Sequence, residues 1–426
     1  MLRTLEYMCV VGSIALIGAD RIDLLAGHGS FRLTPFLFLA SLVVLIQILR
    51  AKLQFEISPP LRRQIPFFIL LVLFLFLSFT STVFGLNPER GLVALADLVL
   101  VSVLGYCISV RVVEDPAPGK LILRSVTFAL IVWLVFCIGG LIAWSQGLIR
   151  LDQEGSSSIA STFAPTAAFF FAPRLSGSCL DPNRAGFILV MYLALLDRFV
   201  AKTRYTGFLC FAIGLFILLA LSRSAMLCWL GYYLFSSAFW QQLLTRRSAL
   251  KVATFALVCS LVGFVYRNDI SELLELWKVS DALYDRLSVE QGTSGGDHVQ
   301  LIKRGFETWS TSAHTVVTGI GLASAPKVLG DFFGDDKYGN FHSLYVTVLA
   351  ELGLPAFLLI LILLGYPIIG RKGALPTIAA IAIFNIPYQS HMEPVFWVVL
   401  ALLWSFELKG TRSRQPSLTR TSVAVS

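Results

Sequence analysis

Long uncharged apolar runs dominate this sequence and are separated by short polar segments. Many of these runs hold about 17–25 residues, the length that a helix needs to cross roughly 30 Å of hydrocarbon. Only 14% of the 426 residues are charged, whereas a soluble domain carries about 25%. The sequence therefore predicts an all-α polytopic membrane protein.

We predict about twelve transmembrane helices. Their approximate limits are residues 5–26, 33–49, 65–84, 92–110, 122–145, 184–200, 205–221, 224–240, 250–266, 341–365, 374–388 and 392–408. The first is expected to be a retained span, because no small-residue cleavage site follows it. Residues 1–408 would form a single transmembrane domain, and residues 409–426 a basic cytoplasmic tail without fixed structure.

Positive charge predicts the orientation of these spans. Cytoplasmic loops are enriched in Lys and Arg, so the net charge of +8 is interpreted as a topology signal and not as nucleic-acid binding. With the N-terminus inside, most of the 34 basic residues fall on the cytoplasmic side, and nearly every short inside loop carries at least two. Both termini are therefore predicted to be cytoplasmic.

The stretch from residue 208 to residue 240 contains one charged residue, Arg223. A single helix of this length would be about 50 Å long. It would bury Arg223 near mid-membrane, at a cost of roughly 2.5–3.5 kcal/mol, and would put the flanking basic clusters on opposite sides. We therefore predict two short helices with Arg223 at their outer turn.

Two long loops are predicted on the outer side, at about residues 145–184 and 267–340. The second loop has the pattern of two helices that lie on the membrane surface. Residues 270–288 space their apolar side chains for a helix and contain Trp277 as an interface anchor. Residues 297–313 begin at a suitable N-cap, Asp297, and contain Trp309.

His342 is the histidine whose position best suits chemistry. It lies where the second long loop enters a span, so its ring can be partly shielded from water and neutral, as a general base requires. The alternative is that histidines are simply excluded from lipid and fall in loops, since all five are predicted outside. Metal ligation is not predicted, because the sequence contains no HxxH or HExxH pattern.

Five arginines are also predicted on the outer side: Arg174, Arg184, Arg223, Arg286 and Arg304. Each alone could be a solvated or interfacial charge. A charge at membrane depth is costly and usually faces a cavity or a partner, and guanidinium groups bind phosphate with paired hydrogen bonds. Together they favour a lipid-linked phosphate or pyrophosphate ligand.

Three stretches together resemble the O-antigen ligase and polymerase superfamily of bacterial surface polysaccharide enzymes. "RLSGSCLDPNRAG", from Arg174, is similar to an arginine, glycine and Asp-Pro-Asn pattern before a span, and "LSRSAML" is similar to a Ser-Arg-small motif. His342, Ser343 and Gly353 match the ligase pattern, although Val346 stands where leucine is usual. An arginine-led helix ending in "TGIGLAS", from Arg304 to Ser324, is expected to complete the core at about residues 170–370.

The resemblance implies a glycosyltransferase-C-like fold and an inverting, metal-independent transferase without cofactors. His342 would deprotonate the acceptor hydroxyl, and Arg174 and Arg223 would hold the pyrophosphate of an undecaprenyl-linked glycan, with Arg286 or Arg304 completing the clamp. Asp181, Asn183, Ser343 and Gly353 would support the site. The acceptor would be lipid A core or a growing glycan, met at the periplasmic face of the bacterial inner membrane.

Two other classes remain open at this stage. A polysaccharide transporter or lipid-linked glycan flippase would suit twelve spans, but no inverted repeat is visible and the spans are almost free of charge. A non-enzymatic partner of other polysaccharide assembly proteins is the third class. The residues alone do not choose between a ligase and a polymerase, because the acceptor contacts would lie in the long loops.

Overall fold

The structure is a computed structural model that describes residues 2–24, 33–51, 59–146, 168–169, 172–236, 294–333, 339–369 and 372–405. Almost all of the regular structure in these ranges is α-helical. One short antiparallel strand pair joins Ala168–Phe169 to Ala172–Pro173. The predicted class, an all-α membrane protein, is confirmed.

Five helices precede the first long loop. They are α1 (Leu2–Ala15), α2 (Pro35–Ala51), α3 (Pro59–Val83), α4 (Pro88–Glu114) and α5 (Pro118–Ser145). Four of them begin at a proline, which fits the first turn of a helix because its missing N–H has no partner there. At α4 the Asn87 side chain also accepts a hydrogen bond from the Arg90 N–H.

The rest of the described chain contains nine more α-helices. They are α6 (Pro182–Phe199), α7 (Arg204–Leu219), α8 (Arg223–Ser236), α9 (Ser294–Trp309), α10 (Ala313–Thr318), α11 (Ala325–Phe333), α12 (Leu344–Gly365), α13 (Leu375–Phe384) and α14 (Pro394–Ser405). Two 3₁₀ turns, Tyr366–Ile368 and Lys372–Ala374, lie between α12 and α13. The predicted pair of helices around Arg223 is confirmed as α7 and α8.

Eleven of the twelve predicted spans coincide with helices, and residues 250–266 lie outside the described residues. Four described helices are long and apolar enough to cross a membrane: Gln64–Val83, Pro88–Glu114, Pro118–Ala143 and Leu344–Ile368. Four shorter apolar helices accompany them: Pro35–Leu49, Arg204–Leu219, Leu375–Phe384 and Pro394–Ser405. The prediction of about twelve spans therefore remains unconfirmed, and the basic tail also lies outside the described residues.

Two predicted helix boundaries are wrong. The first span was expected to reach residue 26, but α1 ends at Ala15. The chain turns after α1 because Arg21 is held by another segment. The Arg21 backbone N–H donates a hydrogen bond to the Ser178 carbonyl, and the side-chain Nε donates to the Cys179 carbonyl. Asp297 does not cap a helix, since α9 already begins at Ser294. The predicted surface helix at residues 270–288 lies outside the described residues.

Polar contacts gather at two opposite ends of the bundle. At one end, Arg111 pairs with Glu6 at 2.7 Å and Arg124 donates to the Tyr7 hydroxyl. At the other, which we call the Arg184 end, Arg184 pairs with both Asp20 and Glu393. The charge pattern predicts Arg111 and Arg124 on the cytoplasmic side and Arg184 on the outer side.

Helices α9, α10 and α11 pack beside α12, and all of them except α10 contribute to a second small core. Its buried members include Leu301, Ile320, Leu329, Phe341 and Val346. Helix α9 has one apolar face and one polar face, as predicted for an element of the long loop. This packing brings α9 against the segment that contains His342.

Candidate active site

The Asp-Pro-Asn-Arg stretch starts helix α6, and each of its polar residues has a defined partner. Asp181 caps the helix by accepting a hydrogen bond from the Asn183 N–H at 2.8 Å, and Pro182 occupies the first helical position. Gly186 lies so close to α8 that an added Cβ would meet the Ala225 Cβ at 2.2 Å. The motif therefore fixes where α6 begins and how closely it approaches α8.

Arg174 is joined to the turn that precedes Arg223. Its Nε donates to the Ala220 carbonyl at 3.1 Å, and its NH2 donates to Asn183 Oδ1 at 3.3 Å. The Ser222 hydroxyl donates to the same Asn183 oxygen at 2.7 Å. Two of the predicted donor-binding segments, those of Arg174 and Arg223, are therefore brought together through Asn183.

The turn itself is strained. Leu221 has a left-handed φ of 48°, a conformation that is uncommon for residues other than glycine. Arg223 follows as the first residue of α8, and its side chain is exposed. Backbone strain of this kind persists where surrounding contacts hold it, and such residues cluster at functional sites.

Arg184 takes a structural position. Its guanidinium lies between Asp20 at 2.5 Å and Glu393 at 2.5 Å, in surroundings that leave all three side chains largely buried. Burial raises the pKa of the Glu393 carboxyl to about 7, against the opposing effect of Arg184. Its two carboxylate partners make Arg184 a link between the start of α6, the turn after α1 and the segment before α14.

His342 has an unusual backbone and a histidine neighbour. Its φ is 53°, and its N–H donates to Asn340 Oδ1 at 2.7 Å, which holds the turn before α12. Its ring lies edge to face with that of His298 on α9, with centroids 4.5 Å apart. Burial, and secondarily His298, lowers the pKa of His342 to about 4. The imidazole is therefore neutral and able to accept a proton at neutral pH.

The start of α12 is held by the segment between α13 and α14. Ser343 occupies the N-cap position without a side-chain capping bond, and among the described residues its hydroxyl makes one long contact, 3.4 Å, with the Asn385 carbonyl. The Leu344 N–H donates to the carbonyls of Asn385 and Tyr388. The Tyr388 hydroxyl in turn donates to Asp181 Oδ2 at 3.0 Å. A continuous path of contacts thus links Arg174 to the residues beside His342.

Gly353 breaks helix α12. Its φ of 82° and ψ of 176° are non-helical, and an added Cβ would meet the Val317 carbonyl oxygen at 2.2 Å. The break and Pro355 release backbone acceptors, which bond instead to the glycine-rich turn after α10. The Ile320 N–H donates to the Ala350 carbonyl and the Gly321 N–H to the Glu351 carbonyl, both at 2.9 Å. Gly353 therefore supports the site by docking "TGIGLAS" against α12.

Arg304 differs from its predicted setting. It lies inside α9, and that helix ends at Trp309, so no arginine-led helix runs to Ser324. Its guanidinium contacts Glu307 at 3.2 Å and lies over the Phe332 ring at 4.9 Å from the centroid. No described contact joins Arg304 to Arg174 or Arg223, and Arg286 lies outside the described residues. Among the described residues, no cluster of His, Cys, Asp or Glu could hold a metal ion.

Three elements of the site were missed by the sequence analysis: the His298 ring, the Tyr388 bridge, and the carboxylates Asp20 and Glu393 around Arg184. His298 and Tyr388 are far from their partners in sequence, at separations that no local pattern reports. Only Glu393 carried a signal, as an isolated carboxylate at the start of an apolar run.

The fold and the contacts define a helical membrane protein with one polar end that contains a half-buried, neutral histidine and an arginine held by hydrogen bonds. Comparison with known families then specifies the class. Residues 208–361 match a family model described as O-antigen ligase, which confirms the predicted resemblance to the O-antigen ligase and polymerase superfamily. The matched segment includes Arg223, His342 and Gly353. No curated protein matches the chain.

Proposed function

We propose that this protein is a membrane glycosyltransferase that moves a polysaccharide from an undecaprenyl-pyrophosphate carrier to an acceptor hydroxyl. The family match supports glycosyl transfer of the ligase or polymerase type. The observation that carries the proposal is the path of contacts from Arg174 through Asn183, Asp181 and Tyr388 to the start of α12. This path connects the cationic segment that contains Arg174 to the backbone beside the neutral base, His342.

The donor must arrive already activated, because no ATP or nucleotide sugar is available outside the inner membrane. A glycosyl pyrophosphate carries its own leaving group. Negative charge develops on that group as its bond to the sugar breaks, so positively charged donors fixed in advance lower the barrier. Arg174 and Arg223 are proposed to hold the pyrophosphate, and Arg286 or Arg304 to complete the clamp. These side chains would make the reaction independent of a metal ion.

His342 is proposed to act as the general base. The acceptor hydroxyl would lose its proton to the neutral imidazole as its oxygen forms a bond with the anomeric carbon. The bond from that carbon to the pyrophosphate oxygen breaks at the same time, and the lipid pyrophosphate leaves with the electron pair. Direct displacement inverts the anomeric configuration. A pKa of about 4 makes the imidazole of His342 a weak base, and the negative charge of a bound pyrophosphate would raise that pKa towards the working pH.

The proposed setting is the bacterial inner membrane. Residues 1–408 would cross it about twelve times as one domain, with both termini in the cytoplasm and the Arg184 end facing the periplasm. The sorting of contacts between two ends supports this arrangement. Lipid A core, or another growing glycan, would be the acceptor, and other polysaccharide assembly proteins could deliver the donor.

Glycan transfer with purified protein tests this proposal. Undecaprenyl-pyrophosphate glycan would be supplied with lipid A core in one reaction and without it in another. Product that requires lipid A core identifies a ligase, and longer lipid-linked chains without it identify a polymerase. An Arg223→Ala variant should lose either product, whereas Arg3→Ala, at the other end of the bundle, should not. If no transfer occurs but the lipid-linked glycan crosses liposome membranes, the enzyme proposal is wrong and a flippase replaces it.

A further inference from the structure

We propose that Tyr388 is a positioning residue that keeps the pyrophosphate-binding segment and the histidine base of the site in register. This inference rests on the proposed function and adds to it a residue outside the resemblance motifs. Tyr388 lies in the connection between α13 and α14, and it contacts both halves of the candidate site at once.

The first contact is made by the side chain. The Tyr388 hydroxyl donates to Asp181 Oδ2 at 3.0 Å, while the other oxygen of the same carboxylate accepts the Asn183 N–H. Asn183 is the residue that receives hydrogen bonds from Arg174 and Ser222. A shift of the Asp181 carboxylate would therefore be transmitted to the start of α6 and to the orientation of the Arg174 guanidinium.

The second contact is made by the backbone. The Tyr388 carbonyl accepts the Leu344 N–H at 2.8 Å. Leu344 is two residues beyond His342 and is the first residue of α12, where Ser343 supplies no side-chain cap. The first N–H of the helix is therefore satisfied by the α13–α14 connection, and the backbone that carries His342 is fixed to it.

The connection that carries both contacts is itself well held. The Ser390 N–H donates to Asn385 Oδ1 at 2.8 Å, and the Asn385 side-chain amide donates to the Ile381 carbonyl at 2.8 Å. The Tyr388 ring packs on Phe384 with centroids 4.7 Å apart, and Phe384 stacks on Phe187 of α6 at 4.3 Å. The hydroxyl can therefore move only with the segment around it.

The Tyr388 hydroxyl is suited to a hydrogen bond that does not change with pH. Burial raises the pKa of Tyr388 well above its ordinary value, so the group remains a protonated donor across the pH range in which the protein would work. A purely stabilising tyrosine would have the same contacts, and the test must separate stability from positioning.

The proposed measurement compares Tyr388→Phe with Tyr345→Phe. Tyr345 lies on α12 and its hydroxyl donates to the Ala382 carbonyl of α13 at 3.1 Å, so the control removes a hydroxyl close to the same connection without removing a contact to Asp181. For each variant, kcat and the donor KM for glycan transfer would be measured beside the thermal unfolding midpoint. Because a misplacement of about 1 Å can cost roughly a hundredfold in rate, we expect Tyr388→Phe to lower kcat about ten- to a hundredfold.

The expected pattern has three parts. Tyr345→Phe should keep wild-type kcat, and Tyr388→Phe should lose kcat at temperatures where it is fully folded. In a double variant with Asp181→Ala, Tyr388→Phe should cost nothing further, because the carboxylate that accepts the tyrosine hydroxyl is already absent. Any of three results would overturn this inference while leaving the proposed function intact. They are a wild-type kcat in Tyr388→Phe, an equal loss of kcat in Tyr345→Phe, and additive losses of kcat in the double variant. A wild-type protein that transfers no glycan would overturn the proposed function, and the inference with it.

Discussion

The imidazole rings of His298 and His342 lie edge to face, with their centroids 4.5 Å apart. The two residues come from different elements, the amphipathic helix α9 and the turn before α12. A positive charge on either ring would be repelled by a positive charge on the other. The pair therefore favours the neutral form of His342, which is the form that can accept a proton.

The first prediction concerns pH. The pKa of His342 is lowered to about 4, so its neutral, basic form should persist well below pH 6.5. The acid limb of kcat/KM, which reports groups of the free enzyme, should therefore lie nearer pH 4 than pH 6.5. In His298→Gln the limb should move to higher pH but stay below 6.5, because burial is the larger cause of the lowered pKa.

His314 provides the control for this experiment, because it is an exposed histidine on the neighbouring helix α10. His314→Gln should leave the acid limb where it is in the wild type. Unfolding midpoints at each pH would separate loss of the base from loss of the fold. A wild-type limb at pH 6.5 that does not respond to His298→Gln would contradict the assignment of His342.

The second prediction concerns Gly353. Gly353→Ala would force a Cβ to within 2.2 Å of the Val317 carbonyl oxygen at a φ of 82°. Because both the clash and the left-handed backbone are unfavourable, we expect it to destabilise the fold by about 2–4 kcal/mol. Gly207→Ala is the matched control: nothing lies within 4 Å of an added Cβ in helix α7, so it should be neutral or slightly stabilising. Equal midpoints for both variants would refute the proposed docking role.

Whether a feature of the fold can be predicted from the sequence depends on whether the residues that determine it are near or far apart along the chain. The helices follow from local apolar content, and the break between α7 and α8 follows from the cost of burying Arg223. The end of α1 was misjudged because Asp20 and Arg21 are held by residues about 160 positions away. The helix break at Gly353 had a local sign in Pro355, but its partner, the turn at Gly319, is set only by packing.

The candidate site likewise combines features that the local sequence indicates with contacts between residues far apart in the chain. The motifs grouped Arg174, Asn183 and Arg223 as candidate site residues, and the Arg174, Asn183 and Ser222 side chains lie close together in the fold. They could not indicate that Arg184 has two carboxylate partners, since Asp20 and Glu393 come from opposite parts of the chain. Nor could they separate Arg304, which Glu307 and Phe332 engage, from the other outer arginines.

The third prediction tests the role of Arg184. Arg184→Leu would leave Asp20 and Glu393 facing each other in a largely buried setting, and removing one partner of a buried ion pair typically costs about 3–5 kcal/mol. Arg184→Leu should therefore lower the stability of the fold, whereas the protein that remains folded should keep its donor affinity. Lys202→Ala removes an exposed partner of Asp197, with the lysine side chain 90% exposed, and should change stability by less than about 1 kcal/mol.

Detergent-solubilised protein would serve for this comparison, with unfolding midpoint and donor binding measured on the same samples. An Arg184→Leu protein with a normal midpoint but no donor binding would instead make Arg184 a pyrophosphate ligand.

The fourth prediction concerns His391, which is 2% exposed and whose Nδ1 has no hydrogen-bond partner among the described residues. Burial lowers its pKa to about 4. Below pH 6.5 the unfolded chain takes up a proton that the folded protein refuses, so stability falls as pH drops from 6.5 towards 4, by up to about 1.4 kcal/mol per pH unit from this residue. His391→Phe should flatten that fall.

Unfolding midpoints measured between pH 7 and pH 4.5 would check this expectation, with His314→Phe as the exposed control. An unchanged slope in His391→Phe would show that the acid sensitivity of the fold arises elsewhere.

The most direct test of the central claim is the rate of single-turnover glycan transfer by His342→Asn. Asparagine tolerates the left-handed backbone of this position, so the change removes the base and keeps the turn. General-base catalysis is worth about 10²–10⁴-fold, and we expect a loss in that range with donor binding retained and with His314→Asn unaffected. Transfer by His342→Asn within a few-fold of wild type would contradict the assignment of His342 as the base.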